Sequence, residues 1–236
     1  MSFENDLLRQ TKKRIDGRRF DQRREVHFDF QNAGSVIVSL GEGTKVVASA
    51  TGTITKPNPD RPFEGTVNFT VGFVEGKSTK EGIVGGFIEK VWRETKPIDL
   101  ESLCIVAGKQ IWCIRIDVRI LQDDGNLIEC MSLALLAAVL SFRRPSLKVV
   151  GDEVTVYDPK EKLPVPLGLH HLPYGLEIGV LSGIEDGYLI DPSLQESLLC
   201  DLLVISAVNN QKEICFTMKQ GNSCISIEQL TFLNQI

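Results

Sequence analysis

Four residues, Asp123-Asp124-Gly125-Asn126, stand between a β-alternating segment (Ile111 to Leu121) and an apolar Ala/Leu-rich run (Ile128 to Phe142). A strand, a glycine turn and a helix N-terminus make a geometry that can hold a phosphate. Unpaired N–H groups and the positive end of the helix dipole converge there. The side chains do not complete the site. No Arg, Lys, Ser or Thr lies between Gly125 and Cys130, and Glu129 stands among them instead. The turn has the backbone of a phosphate site without the side chains to hold the anion.

Other residues of reactive type are scattered. Glu177 is the sole acid on a predicted strand, Leu176–Val180; Glu185-Asp186 falls in the following turn and Asp191 precedes Pro192. Paired acids there would bind Mg²⁺, but Asp-Gly chemistry reads as a solvated hairpin turn. Lys90 and Arg93 are three apart on a predicted helix, Gly82 to Glu94, which puts them on one face. Arg61 sits in a Pro-rich loop, Lys56 to Pro62. Arg143-Arg144 follows the central helix directly, where cations suit the C-terminal end of the dipole. His170-His171 has no acid or Cys at triad or metal spacing and reads as packing or a polar turn. No Ser–His–Asp order, P-loop or dinucleotide fingerprint appears, since the glycines of Gly82-Ile83-Val84-Gly85-Gly86 lack GxGxxG spacing.

The bulk properties narrow the class. With 236 residues the chain suits one large domain or two small lobes. A net charge of −5 excludes a chain that binds nucleic acid by its overall field, so any RNA contact must be local or come from a partner. Six cysteines, none in a CxxC, predict reduced thiols in an intracellular protein with neither disulfides nor a zinc site. The longest apolar run, Leu133 to Leu140, is too short to span a bilayer.

The elements that must position these residues follow from periodicity. Ser2 to Arg14 reads as a short helix ending at the Asp16-Gly17 turn. Alternation over Val26–Phe30, Ser35–Leu40 and Lys45–Ala50 predicts hairpin-linked strands, and Thr66–Phe73 another. Leu163 to Leu167, with two prolines, is extended but cannot be a central strand. Leu176–Leu181 and Gly187–Ile190 read as a hairpin, Leu194–Leu199 as a short helical turn, Leu202–Val208 and Glu213–Met218 as strands, and Ser226–Leu233 as the start of a helix. The class is α+β with mixed sheets, one domain over 1–236, with a first lobe 1–145 and a similar second lobe 146–236 around a buried central helix.

Several stretches in this order resemble the RNase PH family: Arg14-Ile15-Asp16-Gly17-Arg18, Ile98 to Cys104 with Ile105 to Gly108, Ile116-Asp117-Val118 through Asn126, Phe142-Arg143-Arg144-Pro145, and His170-His171-Leu172-Pro173. Within the family they are most similar to ring subunits of the eukaryotic RNA exosome. The resemblance implies an RNase PH-like fold (ribosomal protein S5 domain 2-like) of two βαβ-type lobes. It also leads us to expect the family's last helix to be missing from a chain that ends at Ile236.

Active members of the family cut RNA from its 3′ end with inorganic phosphate as nucleophile and carry a Gly-x-Arg-Thr-like turn at the central helix. The matching residues here are Gly125, Asn126, Leu127 and Ile128, a degenerate phosphate site. Losing such a charge-assisted interaction costs roughly 2–4 kcal/mol of transition-state stabilisation. The resemblance therefore implies a non-catalytic subunit with no catalytic residue, metal or cofactor. Its implied partners are other RNase PH-like subunits in a six-membered ring, S1/KH cap subunits and RNA, in the nucleus and nucleolus and also in the cytoplasm. It assigns Lys90 and Arg93 to RNA phosphates held beside a neighbour's site, against a plain reading of a solvated face paired with Glu89 and Glu94. Arg61 is placed either in the ring's channel or on an ordinary surface loop. The alternative is an active phosphate-dependent 3′–5′ exoribonuclease in a homohexameric ring.

Overall fold

Alternating apolar residues build the larger sheet. In β1 (Val26–Asn32), β2 (Ser35–Leu40), β3 (Thr44–Thr55), β4 (Thr66–Phe73), β5 (Cys104–Val106) and β6 (Gln110–Gln122), every second side chain of the central strands faces one core. Val36 and Val38 of β2, Val46 and Ala48 of β3, and Ile114, Ile116 and Val118 of β6 are fully buried. The computed structural model describes residues 8–10, 13–74, 80–182, 184, 187–226 and 229. The sheet runs β1-β2-β3-β6-β4, with β5 also on β6, and it is mixed because β4 lies parallel to β6.

The central helix α2 (Leu127–Ser141) is apolar on nearly all sides because it is covered on nearly all sides. It packs on β2, β3 and β6, and on β11 (Tyr174–Val180) of a second, antiparallel sheet. That sheet is ordered β12 (Tyr188–Ile190), β11, β13 (Leu202–Val208), β14 (Ile214–Gly221). Gly175 permits the close crossing of β11 over the core, since a Cβ there would sit 2.6 Å from the ring of Phe87 and 3.0 Å from Ile128. The predicted hairpin pair is β11 with β12, in the register Ile178↔Ile190. The proline-rich extended segment is only a two-residue pairing, β10 (Val165–Pro166) with β7 (Arg143–Arg144). A separate hairpin joins β8 (Leu147–Val150) and β9 (Glu153–Val156).

One element departs from the periodicity. The helix expected over 82–94 is α1 (Glu81–Ile88) followed by a π-helical segment, Glu89–Glu94. The wider turn brings the adjacent residues Val91 and Trp92 both into the core, at 0% and 3% exposure. α3 (Leu194–Leu199) is a true helix with a capping box between Ser193 and Glu196. Residues 8–10 are helical, whereas the rest of the expected helix up to residue 7, residues 11 and 12, the Glu185-Asp186 pair and most of the expected helix 226–233 lie outside the described residues. All six cysteines are free thiols. Among the described residues, no helix is long and apolar enough to cross a membrane.

Candidate functional site

The strand β6 delivers the chain to the turn, and two left-handed residues turn it into α2. Gly125 has φ +81 and Asn126 φ +52, a conformation that Asn tolerates better than most residues. A Cβ at Gly125 would lie 2.5 Å from the amide N of Leu194 and 2.6 Å from the carbonyl of Pro192. The turn is thus closed by the segment leading into α3. Asn126 is fully buried, and Leu127, Ile128 and Glu129 are each 2% exposed. Leu127 and Ile128 belong to the core.

Two of the protein's own carboxylates gather on Asn126, the residue that opens α2. Asn126 Nδ2 donates to Glu129 Oε2 and to Asp191 Oδ1, both at 2.6 Å. Its amide oxygen is buried with no donor among the described residues. Glu129 Oε1 accepts from the Tyr174 hydroxyl and from Arg23 at 3.1 Å. Burial, and then the charge of Glu129, push the Tyr174 phenol upward, so it remains a donor. Asp191 is the hub. It accepts from Arg18 Nη1 at 2.7 Å, from Arg24 Nη2 at 2.7 Å and from the Arg24 backbone N–H at 2.8 Å. Burial opposes its charge, but the Arg24 contacts outweigh that and hold its carboxyl below the usual range. Arg24 also donates to the carbonyls of Asp124 and Gly125, and Thr44 Oγ1 donates to Gly125 O at 2.7 Å. Beside this cluster, Arg14 and Glu196 form a wholly buried pair at 2.5 Å, while Arg14 donates to the carbonyls of Ile190 and Asp191.

The Arg14–Arg24 run thereby ties the N-terminal segment to residues beside the second sheet across 167 to 182 residues of chain. Sequence reasoning cited Arg14 and Arg18 only as a motif and missed Arg23 and Arg24. It left Asp191 without a partner. The available signal was the density of arginine between residues 14 and 24, which is unusual in an acidic chain.

Glu177, on β11, is 8% exposed. It lines a cleft of about 110 Å³ with Lys80 and Ser197. Burial pushes its carboxyl up to about 7, while Lys80 lowers it and Asp123, Asp191 and Glu129 raise it. Among the described residues, no three His, Cys, Asp or Glu side chains are grouped to hold a metal ion.

The three basic residues singled out in the sequence are exposed and each has an acidic neighbour. Lys90 pairs with Glu94 at 2.8 Å, Arg93 with Glu89 at 2.9 Å and Arg61 with Glu64 at 3.3 Å. Arg61 and Arg93 line one open cleft of about 650 Å³, together with Asp60, Glu64 and Asn68; Lys90 is not part of its wall. Arg143 donates to the carbonyls of Leu140 and Phe142 at the end of α2, the role its position predicts. His171 Nε2 lies 3.0 Å from Thr95 Oγ1, and burial followed by His170 lowers its pKa.

Residues 21–145 match the 3′ exoribonuclease family, domain 1, known as RNase PH. The exosome complex component rrp45 of Schizosaccharomyces pombe is 36% identical to this chain, covering 90% of it and 76% of the yeast protein. The human exosome complex component RRP45 is 35% identical over 98% of the chain but only 55% of its own length, so the chain spans just over half of that relative. Among solved structures, an archaeal exosome core subunit superposes with a TM-score of 0.77 at 24% identity, over 99% of this chain and 90% of its own. Rice Rrp46 gives 0.67 at 16% identity, over 94% of this chain and 91% of its own, and both show the shared fold. The chain belongs to the RNase PH family of 3′ exoribonucleases.

Proposed function

We propose that the chain is a ring subunit of an RNA exosome that supports 3′–5′ RNA processing without carrying phosphorolytic chemistry of its own. One observation carries the non-catalytic part: Asn126, where an active member would present the phosphate-binding turn, is buried and holds the carboxylates of Asp191 and Glu129. An incoming phosphate would have to displace a buried carboxylate already engaged by Arg18 and Arg24. Gly125 through Ile128 carry no cation, and at Gly125 itself the chain is closed off by Pro192 and Leu194. The ring assignment is supported by the relatives named as exosome components and by the superposition on an exosome core subunit.

In this reading the chain is a single domain of two lobes. Its partners are other RNase PH-like chains in a six-membered ring, S1/KH cap subunits and RNA, in nucleus, nucleolus and cytoplasm. Arg61 and Arg93 face RNA phosphates from their common cleft, and Lys90, three residues from Arg93, adds a cation by releasing Glu94.

Native mass spectrometry of the tagged chain purified from its own cells tests the assignment. The expected result is a hetero-oligomer holding several different RNase PH-like chains in one copy each. A homohexamer of this chain alone would overturn it.

A further inference from the structure

A cleft of about 300 Å³ opens between the β5 region and the β7–β10 segment and shares no lining residue with the α2 turn. Two cations, Arg144 and Lys162, stand in its wall with no carboxylate among its lining residues, although the chain as a whole is acidic. Arg144 is half-buried and makes one hydrogen bond, from Nη1 to Ser102 O at 2.7 Å. A guanidinium has five N–H donors, and among the described residues no carboxylate lies within ion-pair distance of this one. Burial disfavours its charge, and Asp99 offsets that only from a distance. Lys162 Nζ rests 5.2 Å over the Tyr157 ring and is otherwise open to solvent. The two hydroxyls of the cleft, those of Ser102 and Ser146, already donate to the carbonyls of Asp99 and Leu163.

The remaining wall is aliphatic. Ile105, Leu147, Val149 and Val165 line it, and Leu163, 84% exposed, and Val150, 62% exposed, stand close by in sequence. Trp112 is 4% exposed and offers no face on which a nucleobase would stack. Among the described residues, β8 pairs only with β9 and β10 only with β7, which leaves each an edge for an added strand.

We propose that this cleft docks an extended peptide segment of a partner protein, in which an Asp or Glu flanked by aliphatic side chains reaches Arg144 and Lys162. The carboxylate takes the bidentate place on the guanidinium that no residue of this chain fills. The flanking side chains cover Val149 and Val165, and the backbone adds a strand at an open edge. The site is independent of the α2 turn and of the Arg61–Arg93 cleft.

The test is a synthetic array of seven-residue peptides with Asp or Glu at the centre and every pair of aliphatic or aromatic flanks, alongside Asn and Gln copies, probed with the full chain. Acid-centred peptides with aliphatic flanks are expected to be retained. Their amide copies should bind about tenfold more weakly or worse when measured singly by fluorescence polarisation. Lys162→Glu, an exposed change that leaves the packing intact, should weaken the retained peptides by a similar factor. Arg144→Lys should weaken them less, and Lys219→Glu on β14 should leave them unchanged. Three results would each overturn the proposal: no preference for acid over amide, indifference to Lys162→Glu, or displacement of the peptides by a short oligouridine, which would make the cleft a nucleic-acid site.

Discussion

The junction at the start of α2 and the Arg61–Arg93 cleft use the same residue types for opposite ends. At the junction, Arg14, Arg18 and Arg24 meet Asp191 and Glu196 where solvent is largely excluded, and nearly every polar group is engaged. At the cleft, Arg61 and Arg93 are more than half exposed and held only by neighbours three or four residues away. Buried ion pairs are costly to break from one side. Exposed local pairs contribute little and exchange readily for another anion. Charge at the junction is therefore structural, and charge at the cleft is available to a ligand.

Removing one buried partner at the junction should be felt most. Glu196→Ala takes from the buried Arg14 its close carboxylate, leaving Asp16 at 3.9 Å, and removes the capping box of α3. It should cost about 3–5 kcal/mol in urea unfolding. A loss below about 1 kcal/mol would show that the pair is not a structural tie. Asp191→Asn, which weakens the anchors of Arg18 and Arg24, should cost about 2–3 kcal/mol by the same measurement.

Glu177 tests the junction's surroundings in the other direction. Its folded pKa, about 7, is raised above the usual value of 4.5, so the folded state binds the proton more tightly than the unfolded state. Its contribution is fully present below about pH 4.5 and is lost as pH rises to about 7. Glu177→Gln should therefore match the parent in acid and exceed its stability at pH 8, by at most about 3 kcal/mol. A mutant-to-parent difference that is flat with pH would refute the raised pKa.

At the cleft the effects move from stability to binding. Arg61→Ala with Arg93→Ala should weaken RNA binding by the assembled ring and lower the salt slope by about one for each phosphate no longer neutralised. Adding Lys90→Ala should weaken it less than either arginine, since Lys90 is outside the cleft wall. The smallest effect is on folding: all three changes together should shift unfolding by less than about 1 kcal/mol.

Much of this was legible in the sequence where a local rule decides. Period-2 alternation marked β2 and the Ile111–Leu121 part of β6, an all-round apolar run marked α2, and Ser193 with Glu196 carries the S-x-x-E signature that caps α3. The absence of a cation at the Gly125 turn was equally plain. What filled that turn was not, because Asp191 reaches it through a fold that brings together residues 65 to 173 positions apart. The π-helical Glu89–Glu94 segment was also out of reach. Helical periodicity continues through it in sequence, and the wider turn accompanies the burial of the adjacent Val91 and Trp92, a tertiary feature.

Phosphorolysis by the purified chain itself tests most directly whether the Gly125–Ile128 turn has lost its phosphate chemistry. A 3′-labelled RNA is incubated with the chain in inorganic phosphate, and released nucleoside diphosphate is measured against a phosphate-free control. With no cation on the Gly125–Ile128 turn and Asp191 and Glu129 gathered on Asn126, no phosphate-dependent release is expected from the parent, nor from Asn126→Arg with Leu127→Thr. Clear phosphate-dependent release of nucleoside diphosphates by the parent chain would contradict a non-catalytic subunit.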